Sequence, residues 1–79
     1  MNTFSLSNIS LAKFRRFLFE AGCTRVGVKG GHEKRKLAGC HRSIIIQTHI
    51  DHVPERIVRS VLIDMGMTRQ DFINMMRNI

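Results

Sequence analysis

The 79-residue chain predicts an α+β fold: a three-stranded antiparallel sheet backed by helices, in the order α-β-β-β-α. Apolar residues at helical spacing occupy both ends of the chain. Three short runs of strand character lie between them. A glycine pair separates the first two runs and a five-residue loop the second pair, and connections that short join antiparallel neighbours.

The elements follow in order. Residues 1–7 read as a frayed lead-in. Ser7 or Ser10 can cap a helix by accepting a hydrogen bond from a free backbone N–H. Leu11, Phe14, Leu18 and Ala21 then recur at helical spacing, with Phe17 beside them, and Gly22 supplies the stop. Thr24 to Lys29 reads as a strand with Thr24, Val26 and Val28 on one face. Gly30-Gly31 turns the chain, and His32 to Leu37 forms the second strand. Ala38 to Arg42 makes a loop, and Ser43 to Thr48 a third strand rich in isoleucine. His49 to Val53 leads to Pro54, which suits the first turn of a helix. Ile57, Val58, Val61, Leu62 and Met65 form that helix's stripe, Glu55 and Arg59 sit four apart for an ion pair, and Gly66 ends it. Thr68 to Asp71 resembles a capping box, and Phe72, Met75, Met76 and Ile79 give a short last helix one face to bury. Helices on one face of an antiparallel sheet make an α+β sandwich. The order matches the double-stranded RNA-binding domain fold.

Length allows a single domain, residues 1–79, with a modest core. Thirteen Lys+Arg against six Asp+Glu give a formal charge of +7, which favours a polyanion or an acidic protein. Cys23 and Cys40 carry no framework spacing and read as thiols in a reducing cytoplasm. No signal peptide is visible, and the longest purely aliphatic run is Ile44-Ile45-Ile46, far short of a membrane span.

The richest stretch is Lys29-Gly30-Gly31-His32-Glu33-Lys34. Two glycines place a bare turn in front of a histidine, with cations on both sides. Histidine is the side chain whose unperturbed pKa suits proton transfer near neutrality. Strand periodicity puts His32, Lys34 and Lys36 on one face and Glu33, Arg35 and Leu37 on the other, with Leu37 pointing to the core. The lysines can hold phosphates as point charges, and the N–H groups of Gly30 and Gly31 can form an anion-binding nest. Lys29, Gly30, Gly31, Lys34 and Lys36 are therefore the candidate nucleic-acid-binding residues, and His32 the candidate proton-transfer group. His49 and His52 follow the third strand and either could approach the turn, although an exposed loop histidine is the plainer reading of each. Cys40, His41, His49 and His52 reach the ligand count for zinc, but the adjacent Cys40-His41 pair and the lack of a Cys-x-x-Cys knuckle argue against it. No metal or other cofactor is expected.

Taken together, Gly30-Gly31-His32-Glu33-Lys34, Ile46-Gln47-Thr48-His49-Ile50-Asp51, Val53-Pro54-Glu55 and the ending Asp64 to Phe72 resemble the HicA-type toxins of HicA/HicB toxin–antitoxin modules. The resemblance spans roughly Leu11 to Phe72. It implies a small endoribonuclease that cleaves mRNA, with a double-stranded RNA-binding-like fold and a HicB-type antitoxin partner. It implies that His32, after its glycines Gly30 and Gly31, is catalytic. Arg35 departs from the pattern, since many relatives carry an aromatic residue there. The alternative is a non-catalytic RNA-binding module. Such modules usually place a basic cluster at the start of the last long helix, where this chain has a single arginine in Pro54-Glu55-Arg56. A third reading is an interaction domain that binds an acidic protein.

Overall fold

The computed structural model describes residues 6–37 and 43–79. Residues 1–5 of the expected lead-in and the expected loop over 38–42, with Cys40 and His41, lie outside the described residues. The elements are β1 (Ile9–Ser10), α1 (Leu11–Glu20), β2 (Cys23–Lys29), β3 (His32–Leu37), β4 (Ser43–Gln47), β5 (His52–Val53), α2 (Glu55–Met65) and α3 (Arg69–Arg77). The fold is α+β: an antiparallel sheet in the order β2-β3-β4, accompanied by three helices.

Ser10, not Ser7, caps α1: its hydroxyl accepts from the Lys13 N–H. The helix buries Leu11, Phe14, Phe17 and Leu18. Ala21, expected in that stripe, is instead the C-cap, followed by Gly22 in a positive-φ conformation. Phe17 stands edge-on to Phe72 of α3, with ring centroids 4.8 Å apart, and so joins the first helix to the last. Pro54 takes the N-cap position of α2 rather than its first turn. Gly66 closes that helix in the left-handed region. Thr68 and Asp71 form the expected capping box on α3. Ile73 is buried there, whereas Ile79 lies beyond the helix and is partly exposed.

Three features depart from the strand pattern. First, Leu6 is buried in the core, so the lead-in is anchored by at least this residue. Second, two segments expected as loop pair with each other: Ile9 opposes Val53 and Ser10 opposes His52, antiparallel. Two-residue strands leave almost no periodic signal, so only tertiary pairing reveals them. Third, the register of β2 against β3 shifts between Arg25 and Gly27. A bulge inserts one extra residue and changes the phase of the side chains beyond it. Thr24 opposes Lys36, and after the bulge Gly27 opposes Lys34 and Val28 opposes Glu33, so the expected single face of Thr24, Val26 and Val28 does not form.

The sheet has one buried and one open face. Ile44 and Ile46 of β4 join Phe14, Phe17, Val58 and Phe72 in one core cluster. Ile45, between them, is 49 % exposed on the opposite side. Among the described residues, no helix is long and apolar enough to cross a membrane.

Candidate functional site

The β2–β3 connection is a two-residue hairpin. Lys29 opposes His32, and Gly30 and Gly31 hold φ of 55° and 81°. Two consecutive positive φ values mark a type I′ turn, whose twist matches that of antiparallel strands. Residues with a Cβ adopt it only with strain, so the glycine pair is demanded by the turn. Across the other side of β3, His32 opposes Gln47 of β4. His32 is exposed, and directly paired residues carry their Cβ atoms only about 5 Å apart. Lys29 is therefore its nearest cation across the sheet. Lys34 lies two residues further along the same face, about 7 Å away, and Lys36 about 13 Å away. Lys34 can reach a phosphate held beside His32, while Lys36 is placed for a neighbouring one.

Among the described residues, Lys29, Lys34 and Lys36 form no ion pair. The sole carboxylate of β2, β3 and β4 is Glu33, and it points the other way. It is 2 % exposed beneath the sheet. Arg35 Nε donates to Glu33 Oε2, and Arg15 Nη2 of α1 lies 3.3 Å from Oε1. Burial pushes this carboxyl's pKa up, but the hydrogen bond from Arg35 and the charges of Arg35, Arg15 and Arg25 outweigh it and hold the pKa below its ordinary value. The departure at Arg35 thus sits on the face away from His32, where it neutralises Glu33. The Nε of Arg15 is buried without a hydrogen-bond partner among the described residues.

A second histidine reaches the turn. Thr48 N–H donates to the Gly31 carbonyl at 2.8 Å. His49 follows, and its Nδ1 lies 3.5 Å from where a Cβ on Gly31 would stand. The β1–β5 pairing and the Leu11 N–H, which donates to the Asp51 carbonyl at 2.9 Å, tie down the segment beyond it. Sequence left His49 and His52 level; the fold brings His49 against the glycine turn and sets His52 in β5, opposite Ser10.

His32 also stands between two recesses. One, about 380 Å³, runs over the open face beside Lys29 and Lys34. The other, about 270 Å³, lies at the end of β4, where Gln47 meets Ile50, Pro54, Arg56 and Ile57. Gln47 and Arg56 were not among the candidate RNA-binding residues, because nothing in their spacing links a strand end to the start of a helix. Among the described residues, no group of three His, Cys, Asp or Glu side chains is placed to hold a metal ion. Compared with known families and with curated proteins, the chain matches no family profile and no individual protein.

Proposed function

We propose that this chain is a HicA-like endoribonuclease toxin that cleaves mRNA without a metal ion and is held silent by a HicB-type antitoxin. One observation carries the reading: an exposed histidine on a glycine hairpin, flanked on the open face of the sheet by lysines that form no ion pair among the described residues. The α+β sandwich with a three-stranded sheet is compatible with a double-stranded RNA-binding-domain-like fold, as the motif resemblance implies.

The chemistry needs few parts. The 2′-oxygen of the RNA attacks phosphorus and loses its proton to a base. The bond from phosphorus to the 5′-oxygen breaks, that oxygen takes a proton from an acid, and a 2′,3′-cyclic phosphate remains. His32 serves one of the two proton transfers. His49, against the same turn, is the candidate for the other. Lys29 and Lys34 offset the charge that gathers on the phosphate oxygens. An acidic antitoxin seated on this basic face would exclude RNA by covering it.

A cleavage assay on single-stranded RNA, with and without chelator, tests the reading. Cutting that survives chelation and disappears in His32→Ala supports it. Equal cutting by wild type and His32→Ala would sink it. Tight RNA binding with no cutting selects the non-catalytic module instead.

A further inference from the structure

We infer that the recess at the end of β4 is a nucleobase subsite, holding one unstacked base of the RNA next to the cleaved phosphate. The inference rests on His32 marking where that phosphate lies. Four observations meet there. The recess shares His32 with the strip of lysines, so a strand crossing the strip would continue into it. Its floor is apolar, with Ile46 and Val53 buried, which suits the face of a planar ring. At about 270 Å³ it falls near the roughly 300 Å³ lower end of small-ligand pockets, room for one ring system and not for a stacked pair. Its rim is polar: Gln47 and Arg56 are exposed and make no side-chain hydrogen bond or ion pair among the described residues.

The main chain adds to that rim. β4 is an edge strand of the sheet. Thr48 N–H points to Gly31, and antiparallel pairing alternates the direction of successive main-chain groups. Gln47 therefore turns its own N–H and carbonyl toward the edge of β4 that no described strand pairs. A side-chain amide together with a main-chain donor and acceptor can match the hydrogen-bonding edge of a base, and the guanidinium of Arg56 can hold the next phosphate. Proteins that read single-stranded RNA take splayed-out bases in this way. A protein strand added to the β4 edge would use the main chain but leave the apolar floor and Arg56 unexplained, so RNA is the occupant the recess favours.

The test uses short single-stranded RNAs that differ only at one nucleotide beside the mapped cut, each neighbour in turn. That nucleotide carries an ordinary base, 2-aminopurine or no base. A parallel set bears 2′-deoxyribose at the attacking nucleotide, so that binding is read without cutting. We expect the abasic substrate to lose roughly tenfold or more in kcat/KM, as stacking and hydrogen bonds to one base are lost. We expect 2-aminopurine fluorescence to change on binding, with that change reduced in Gln47→Leu and Arg56→Ala. Gln47→Leu should flatten the preference among bases at an unchanged melting temperature, and Arg56→Ala is a second probe should Gln47→Leu fail to fold. Cutting and binding that ignore the base at both neighbours, in wild type and variants alike, would overturn the subsite and leave the nuclease reading standing. If the protein cuts no RNA, a fluorescence change that depends on Gln47 or Arg56, read with 2-aminopurine moved along a bound single-stranded RNA, would show a base-binding recess and overturn both its place beside a cleaved phosphate and the nuclease reading.

Discussion

On the underside of β3, Glu33 and Arg35 are locked to each other and to Arg15 of α1. On its upper face, His32, Lys34 and Lys36 have no ion-pair partner among the described residues. The two faces belong to one strand of six residues, and the side chains are drawn from the same charged types. What separates them is water. A buried carboxylate without a partner is costly, so Glu33 is held by two arginines. An exposed lysine stays solvated and loses little by standing alone. The buried charges serve the fold, and the exposed ones remain available to a polyanion.

Substitutions can break this comparison face by face. The largest effect belongs to His32→Ala, which should reduce RNA cleavage by about 10²–10⁴-fold while stability changes by no more than about 0.5 kcal/mol. Single-turnover cleavage alongside thermal melting reads both.

Glu33→Gln should do the reverse. Removing one partner of a buried ion pair costs about 3 kcal/mol, a large share of what a domain of this size holds, whereas RNA binding per folded molecule should hold steady. Urea unfolding measures the first and binding at saturating folded protein the second. The same residue sets an acid limit. Its folded pKa lies below the ordinary 4.5, so its contribution is fully present above about pH 4.5 and is lost as pH falls through the lower folded value. The Glu33→Gln variant should lack that part of the acid-induced loss, visible as a shallower dependence of stability on pH below 4.5.

Gly31→Ala touches both faces through the turn. Its φ of 81° strains any residue with a Cβ, at about 1–2 kcal/mol. The added methyl meets His49 Nδ1 only at ordinary contact distance. The cost should therefore come from the backbone, and Gly30→Ala, which meets nothing within 4 Å, should lose a similar amount in thermal melts. Unequal losses would point to His49 as a packing partner of the turn. The smallest effect is expected from Lys34→Gln: unchanged stability, and a plot of RNA affinity against salt on logarithmic axes that is shallower by about 0.7 for one lost phosphate contact.

Much of this was legible beforehand because it depends on neighbours in the chain. The stripe of α1, the left-handed stop at Gly66 and the capping box at Thr68 each need only three or four residues to declare themselves. The alternation of β3 likewise separates His32, Lys34 and Lys36 from Glu33, Arg35 and Leu37. The bulge in β2 escaped because nothing in Arg25-Val26-Gly27 announces an extra residue; it exists only in relation to β3. The β1–β5 pair escaped because its strands have two residues each and lie far apart in sequence. Gln47 and Arg56 escaped as neighbours of His32 because strand register and the seating of α2, not local spacing, bring them there. His49 was one of two loop histidines that could approach the turn until the fold separated it from His52.

By itself, then, the sequence determined the periodic elements, the turn and the histidine it presents, since backbone sterics and the 3.6- and 2-residue periods act locally. Only the tertiary structure decided what surrounds that histidine: Lys29 and Gln47 across the sheet, His49 against the turn, and a recess walled by Arg56 from a helix that begins more than twenty residues later. Those neighbours are set by strand register and by how helices seat on a buried face, which depend on the whole chain closing over one core.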